Sequence, residues 1–186
     1  MLTKPYTVFL IHPPKVYKHQ IVDNLRYPPV GLLSLAAVLR ESGMKVLFYD
    51  ANVESGDHIE TINKIILDEE VDAVGLSFTS IIANGAYLMA DKIKLAHPNI
   101  PVIAGGYHPT VVSEEVTRHT SFDYVVVGEG EETFSELLSA IQEGKDPKDI
   151  PGLSYLRDNQ IVKTASRELI PDLDSIPIPA YDLLRL

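Results

Sequence analysis

Two glycine-rich segments contain the residues best suited to contact a ligand, and one of them spans residues 128–133. A dinucleotide fingerprint would need a third glycine where Thr133 stands, and it would follow the first strand of the fold. The glutamates that open the next helix already satisfy its N-terminal dipole, which disfavours phosphate. The Glu129 carboxylate and the open backbone at Gly128 and Gly130 can instead accept hydrogen bonds from amide or hydroxyl groups. Helix capping by the same carboxylates is the alternative interpretation.

The other glycine-rich segment, residues 105–110, combines small residues with an imidazole. Gly105 and Gly106 have no Cβ, so a bulky ligand can approach the backbone there, although a tight turn would need glycine equally. His108 precedes Pro109, which predicts extended backbone at the histidine. Its imidazole can donate a hydrogen bond to a ligand. No second histidine or carboxylate follows at metal-ligand spacing, so no metal site is predicted.

Hydroxyl groups and a long loop complete the candidate residues. Ser77 and Thr79 stand where a third apolar run ends, and their hydroxyls either contact a ligand or cap the next helix. Residues 12–29 form a connection longer than α/β folds usually need. This loop mixes polar and aromatic side chains, beginning with His12, and could line a large planar ligand.

The elements that must position these residues follow from hydrophobic periodicity. Short apolar runs are predicted as strands, at residues 7–11, 45–49, 73–76, 102–104 and 124–127. Stretches with helical spacing alternate with them, at residues 29–42, 59–66, 86–93, 113–119 and 134–141. This alternation predicts an α/β, doubly wound, flavodoxin-like (Rossmann-type) five-stranded parallel sheet of order 2-1-3-4-5, with helices on both faces. Ligands of such sheets bind at the carboxyl ends of the strands, where all the candidate residues lie.

The pattern changes after the last of these helices. We expect one α/β domain over residues 1–145 and a β-hairpin extension over 146–170, because Asp158 and Asn159 suit a tight turn. Residues 171–186 are rich in proline and predict an extended linker toward a further domain.

Composition excludes several classes of function. The 186 residues carry a net charge of −10, which opposes binding to nucleic acid. There is no cysteine, so disulfides, zinc-thiolate sites and iron–sulfur clusters cannot form within this sequence. No apolar run is long enough to span a membrane or act as a secretion signal, and a cytoplasmic location is expected.

Four segments in order resemble the N-terminal cobalamin-binding domain of B12-dependent radical SAM enzymes. They are residues 28–37, 105–110, 123–131 and 173–182, so the resemblance covers almost the whole chain. It implies that the sheet holds cobalamin over the strand ends, with the nucleotide tail buried alongside the sheet. The cofactor-binding residues that it implies are Ser77, Thr79, Gly105, Gly106, His108, Gly128, Glu129 and Gly130.

The sequence departs from other B12 domains at the cobalt ligand. The domains of methionine synthase and the mutases have Asp-x-His-x-x-Gly after the first strand, whereas Leu10 and Lys15 occupy the Asp and Gly positions around His12. The resemblance therefore implies base-off cobalamin without a histidine ligand. Coordination by His12 in a different geometry stays open.

The resemblance also implies a partner domain. S-adenosylmethionine and a [4Fe-4S] cluster would bind to a C-terminal radical SAM domain, because a cluster needs cysteines that this sequence lacks. This domain alone is then not catalytic, and the intact protein is expected to transfer a methyl group or to perform a related radical reaction.

Three alternatives remain at the level of sequence. A phosphoacceptor receiver domain shares the strand order but needs an aspartate where Ser77 stands. A nucleotide-sugar-binding half-domain of a glycosyltransferase also uses glycine loops and acidic residues. A structural or substrate-positioning domain that has lost its cofactor is the third alternative.

Overall fold

The computed structural model describes residues 4–15 and 27–184. Its strands are β1 (Thr7–His12), β2 (Lys45–Asp50), β3 (Ala73–Ser77), β4 (Val102–Gly105), β5 (Tyr124–Val126), β6 (Leu153–Arg157) and β7 (Gln160–Lys163). Its helices are α1 (Val30–Glu41), α2 (His58–Asp68), α3 (Ala83–Ala96), α4 (Tyr107–Val111), α5 (Ser113–Arg118) and α6 (Glu131–Gln142). The order is that of consecutive β-α units followed by two strands.

One mixed sheet contains all the strands, in the order β2-β1-β3-β4-β5-β6-β7. Its first five strands are parallel and have the predicted order. The predicted number of five strands is wrong, because β6 pairs antiparallel with β5 and β7 pairs antiparallel with β6. An apolar edge at β5 would leave its backbone groups unpaired, and β6 supplies their partners.

The connection from α6 to β6 explains the change of strand direction. The Thr133 hydroxyl, in the first turn of α6, donates to the Pro151 carbonyl oxygen at 3.1 Å. The chain has thus returned from the end of α6 to its beginning before β6 starts. The turn after β6 has positive φ at Asp158 (50°) and Asn159 (64°), as a tight turn between antiparallel strands requires.

Helices cover both faces of the sheet and bury two apolar clusters. On one face, α1 and α6 pack against β1 and β3, with Leu32, Leu39, Phe134 and Leu137 fully or almost fully buried. On the other face, α2, α3 and α5 bury residues such as Ile62, Met89, Ile93 and Val116. Strands covered on both faces are the nearly continuous apolar runs seen in the sequence.

The expectation of extended backbone at His108 is wrong, since α4 contains both His108 and Pro109. Proline is tolerated here because it is the third residue of the helix, where its missing N–H would have had no acceptor within the helix. The side chain of His108 is consequently set by a helix start rather than by an extended loop.

Residues 171–184, in the predicted linker, contain no strand and no α-helix. They contain two short 3-10 turns, Leu173–Ser175 and Tyr181–Leu183. The backbone N–H of Ala180 donates to the Leu33 carbonyl oxygen at 3.0 Å, and Arg40 forms an ion pair with Asp182 at 2.8 Å. The end of this segment is therefore docked on α1. Within residues 4–15 and 27–184, no helix has both the length and the apolar character needed to span a membrane.

Substitution of Gly85 by alanine should destabilise the fold. A Cβ at this position in α3 would lie 2.4 Å from the carbonyl oxygen of Pro14, a backbone atom that can yield only if the chain moves. We expect Gly85→Ala to lower the free energy of unfolding by about 1–3 kcal/mol in urea denaturation, as overpacking does. Gly31→Ala in the first turn of α1 is the matched control, because nothing lies within 4 Å of its Cβ position. Equal stabilities of the two variants would contradict this packing argument.

Candidate functional site

A cavity of about 390 Å³ opens at the carboxyl ends of β3, β4 and β5, on the face covered by α1 and α6. Its lining is mainly apolar or glycine and includes Leu10, Leu35, Ile103, Val126, Phe134 and Leu169. The volume falls within the roughly 300–1,000 Å³ of small-molecule sites. The carboxyl edge is also where open parallel sheets bind ligands.

Glycines keep this cavity open. Gly31, on α1, and Gly128, after β5, have no atom within 4 Å of the position where a Cβ would stand, and for Gly105 the nearest atom is at 3.9 Å. At Gly75, in the middle of β3, a Cβ would lie 2.9 Å from both Leu10 Cδ2 and Phe134 Cζ. A side chain at Gly75 would therefore displace the core side chains that form the floor of the cavity.

The turn after β4 requires glycine for a different reason. Gly106 has a φ of 96°, and a Cβ there would lie 2.7 Å from Ser77 Oγ and 3.0 Å from the backbone of Phe78. The turn is thus packed directly against the end of β3. This contact places Ser77, Gly105 and Gly106 together on the wall of the cavity.

The rim of the cavity is acidic and structurally tied. Glu129 accepts a hydrogen bond from the backbone N–H of Ile170 at 2.7 Å, and Glu131 accepts one from the Ser34 hydroxyl at 3.0 Å. Thr110 Oγ1 accepts a hydrogen bond from the backbone N–H of Gly128 at 3.1 Å. No lysine or arginine lines the cavity within the described parts of the chain. The site therefore suits a ligand with amide or hydroxyl donors better than a polyanion.

Six of the eight predicted site residues line this cavity, namely Ser77, Gly105, Gly106, Gly128, Glu129 and Gly130. Thr79 and His108 do not line it. Thr79 caps a short 3-10 turn through its backbone, since its carbonyl oxygen accepts from the N–H of Ile82 at 3.1 Å. The His108 ring contacts Ser80 Oγ at 3.0 Å and the Tyr87 hydroxyl at 3.3 Å, on the side of the sheet that α3 covers.

A second polar group lies at the carboxyl ends of β1 and β2, where His12 and Asp50 face each other in register. The Nδ1 of His12 donates to Asp50 Oδ1 at 3.0 Å, and the same oxygen accepts from the backbone N–H of Asn52 at 2.9 Å. Burial would raise the pKa of Asp50, but the hydrogen bonds from His12 and Asn52, together with the charge of His12, outweigh it and lower the pKa below its ordinary value. The imidazole is therefore held toward β2, while the cavity lies on the β3 side of β1.

Sequence reasoning did not find several of the lining residues. Gly75 gave a detectable signal, because a glycine inside a buried strand marks close approach of neighbouring groups. Leu35 and Phe134 belonged to the apolar stripes of predicted helices, and Gly31 lay in the segment 28–37 that carries the resemblance, but neither signal marked them as lining residues. Leu169 lies far along the chain from the strand ends, so no local pattern connects it with them. Most of the loop predicted to line a planar ligand, residues 16–26, lies outside the described residues.

Replacement of Asp50 by asparagine should reduce stability in a pH-dependent way. Because the pKa of Asp50 is lower in the folded protein, its contribution is present above the unfolded pKa of about 4 and is lost as the pH falls through the folded value. We expect Asp50→Asn to lower the free energy of unfolding by about 1.5–3 kcal/mol at pH 7, the range for hydrogen bonds to charged groups. Urea denaturation from pH 7 to pH 3 should show this difference narrowing below about pH 4. A difference that is constant over this range would show that Asp50 acts without its charge.

The sequence is similar to a known domain family and to part of a longer protein. The profile of the B12 binding domain family matches residues 21–138. An uncharacterized methyltransferase of Pyrococcus horikoshii is 37% identical over 182 residues, which cover 97% of this chain and 39% of that protein. The chain thus spans about two fifths of the length of this relative.

Two solved structures share the fold. One is the cobalamin-dependent S-adenosylmethionine radical enzyme OxsB with aqua-cobalamin bound, with a TM-score of 0.79, 21% identity, and coverage of 97% of this chain and 25% of OxsB. The other is the radical S-adenosylmethionine methyltransferase TsrM from Kitasatospora setae with cobalamin and a [4Fe-4S] cluster bound, with a TM-score of 0.76, 20% identity, and coverage of 94% and 31%. Since the family profile covers more than half of the sequence and agrees with the strand order and the cavity, the chain belongs to the B12-binding domain family.

Proposed function

We propose that this chain holds cobalamin in its base-off form, with the nucleotide tail in the cavity between α1, α6 and the sheet. The observation that carries the proposal is a glycine-lined, mainly apolar cavity at the carboxyl ends of β3, β4 and β5. An aromatic base needs such an apolar slot, and a tail buried there is kept away from the cobalt. The open Cβ positions at Gly31 and Gly128 indicate that the space is available without movement of the backbone.

The lining residues have distinct roles in this proposal. The Ser77 hydroxyl and the backbone at Gly105 and Gly106 would contact the tail at the strand ends, and Gly128 and Gly130 would let it pass close to the chain. Glu129 retains an oxygen that can accept from an amide or hydroxyl group of the ligand, since the hydrogen bond from Ile170 engages Oε2. Thr79 and His108 lie outside the cavity, and we assign them no contact with the tail.

The reaction would belong to a longer protein. When bound, cobalamin supplies a cobalt centre that can carry and release a methyl group. The residues of this chain bind and orient the cofactor, and the apolar lining excludes water from its tail. S-adenosylmethionine and a [4Fe-4S] cluster would be held by a following radical SAM domain, because the sequence contains no cysteine. Methyl transfer or a related radical reaction is the activity that we infer for the whole.

The charge of the rim argues against the glycosyltransferase alternative. A nucleoside diphosphate sugar carries two negative charges on its diphosphate. Glu129 and Glu131, the charged residues that line the cavity in the described ranges, would repel them. Cobalamin carries one phosphate and many amides, so far less repulsion arises.

Filling the cavity should weaken cobalamin binding more as the added side chain becomes larger. The Cβ position of Gly105 points into open space, with its nearest neighbour at 3.9 Å, so an added side chain would occupy the site of the tail. We expect Gly105→Ala to weaken hydroxocobalamin binding slightly and Gly105→Leu to weaken it at least about tenfold, a loss of about 1.4 kcal/mol. Equilibrium dialysis of the intact protein measures both affinities, and urea denaturation checks that the variants stay folded.

The outcomes of this measurement separate the alternatives. Binding of about one corrinoid per chain, lost in the leucine variant, supports the proposal. Equal affinities for all three proteins would contradict the assignment of the cavity. Binding of a uridine diphosphate sugar without binding of a corrinoid would favour the glycosyltransferase alternative, and binding of neither would favour a structural domain.

The cobalt should have no nitrogen ligand from the protein. The hydrogen bond from Nδ1 to Asp50 holds the His12 ring toward β2, and its side chain is only 19% exposed, which limits access of a corrinoid to the remaining ring nitrogen. We therefore expect the electron paramagnetic resonance spectrum of bound cob(II)alamin to lack nitrogen superhyperfine splitting and to be the same in His12→Gln. Splitting that disappears in His12→Gln would show that His12 coordinates cobalt. Splitting that persists in the variant would show that a nitrogen of the nucleotide base or of another side chain coordinates cobalt, which would contradict this prediction.

A further inference from the structure

We propose that residues 165–170, called the strap below, form the outer wall of the cavity, and that Arg167 positions this wall so that Leu169 selects corrinoids with a nucleotide tail. This inference rests on the proposed function and deepens it. The strap follows β7 and leads the chain across the beginning of α6. It lies beyond the consecutive β-α units that make up the parallel part of the sheet.

Arg167 fixes the strap to three residues of α6. Its Nε donates to Thr133 Oγ1 at 2.7 Å, its Nη1 pairs with Glu132 Oε2 at 2.6 Å, and its Nη2 pairs with Glu136. The side chain is only 12% exposed, unlike the arginines of ordinary surface pairs. A guanidinium whose separate N–H groups meet separate acceptors holds one orientation, so it specifies the position of the backbone that carries it.

Backbone contacts fix the strap on both sides of Arg167. The carbonyl oxygen of Ala165 accepts from the N–H of Gly152 at 2.8 Å, just before β6. At the other end, the N–H of Ile170 donates to Glu129 Oε2 at 2.7 Å. Leu169 stands next to this second contact, so its position relative to the cavity rim is determined.

Leu169 is the residue of the strap that borders the cavity. The residue is 73% exposed, so an apolar group that enters the cavity can cover its side chain and remove it from water. A single exposed leucine would by itself mean little. Here the leucine is held at a cavity wall by the hydrogen bonds of its neighbours. An aromatic tail that fills the cavity would bury this side chain, whereas a corrinoid without a tail would leave it in water.

This difference makes cobinamide, the corrinoid that lacks the nucleotide tail, the informative probe. The affinities of the intact protein for hydroxocobalamin and for diaquacobinamide should be measured by equilibrium dialysis for the unsubstituted protein, Arg167→Ala and Arg157→Ala. Arg157 is the matched control, because it forms an ion pair with Asp146 at 2.5 Å away from the cavity. We expect Arg167→Ala to lose about tenfold or more in affinity for cobalamin and to bind cobinamide within about twofold of the unsubstituted protein. Arg157→Ala should change neither affinity.

A second pair of variants keeps the ion pairs of the strap intact. Leu169→Ala should also lose affinity for cobalamin and not for cobinamide, by about tenfold if the side chain becomes fully buried. Leu173→Ala is its control, since Leu173 is 67% exposed and does not line the cavity. The same selective loss of cobalamin affinity in Arg167→Ala and Leu169→Ala would support the strap as the wall. Only Arg167→Ala can disturb α6, so a disturbance of α6 would not explain the loss in Leu169→Ala.

Other outcomes would overturn the inference. If Arg167→Ala and Leu169→Ala bind cobalamin as the unsubstituted protein does, the strap is not a wall of the site. Equal losses for cobalamin and cobinamide would assign the strap a general structural role. If the unsubstituted protein binds neither corrinoid, the proposed function fails and the inference fails with it. This result differs from the other two outcomes, because in both of those the unsubstituted protein binds cobalamin.

Discussion

The separation of α1 and α6 above the carboxyl ends of β3 and β4 is the constraint on which the site depends. Both helices pack on the same face of the sheet and bury a continuous apolar cluster with β1 and β3. Close packing would normally fill the space between them. The lack of a side chain at Gly75 leaves room for Leu10 and Phe134, which form the floor of the cavity. Gly31, Gly105 and Gly128 add no side chain above this floor. The core is thus densely packed beneath the floor of the cavity and open at the carboxyl ends of the strands.

Hydrogen bonds at the rim maintain this opening. The Ser34 hydroxyl on α1 reaches Glu131 at the start of α6, and Glu129 receives the N–H of Ile170 from beyond β7. The carboxylates near the N-terminus of α6 are therefore acceptors for other segments of the chain, whereas no side chain forms a capping hydrogen bond at Gly130, the N-cap of α6. The alternative interpretation of these carboxylates as hydrogen-bonded caps of their own helix is thus wrong, although their charge still faces the helix N-terminus.

The sequence predicted the parallel part of the fold because each of its elements is determined locally. Apolar runs covered on both faces and helices with one apolar stripe gave the first five strands and their order. The two added strands were predicted as a hairpin but not as part of the sheet, because their pairing with β5 depends on an exposed edge rather than on their own residues. At α4, a local preference against helix before Pro109 was overridden by its place in the first turn.

The candidate site was predictable where it consists of strand ends, and Ser77, Gly105 and Gly128 lie on its wall. Its remaining walls come from helices and from the strap, and their contribution depends on tertiary contacts over long separations in sequence.

The charge distribution of the chain and of the cavity rim limits the kind of ligand that the site can hold. With a net charge of −10 and an acidic rim, the chain favours a ligand whose surface is mainly apolar and amide-rich over one with several phosphates.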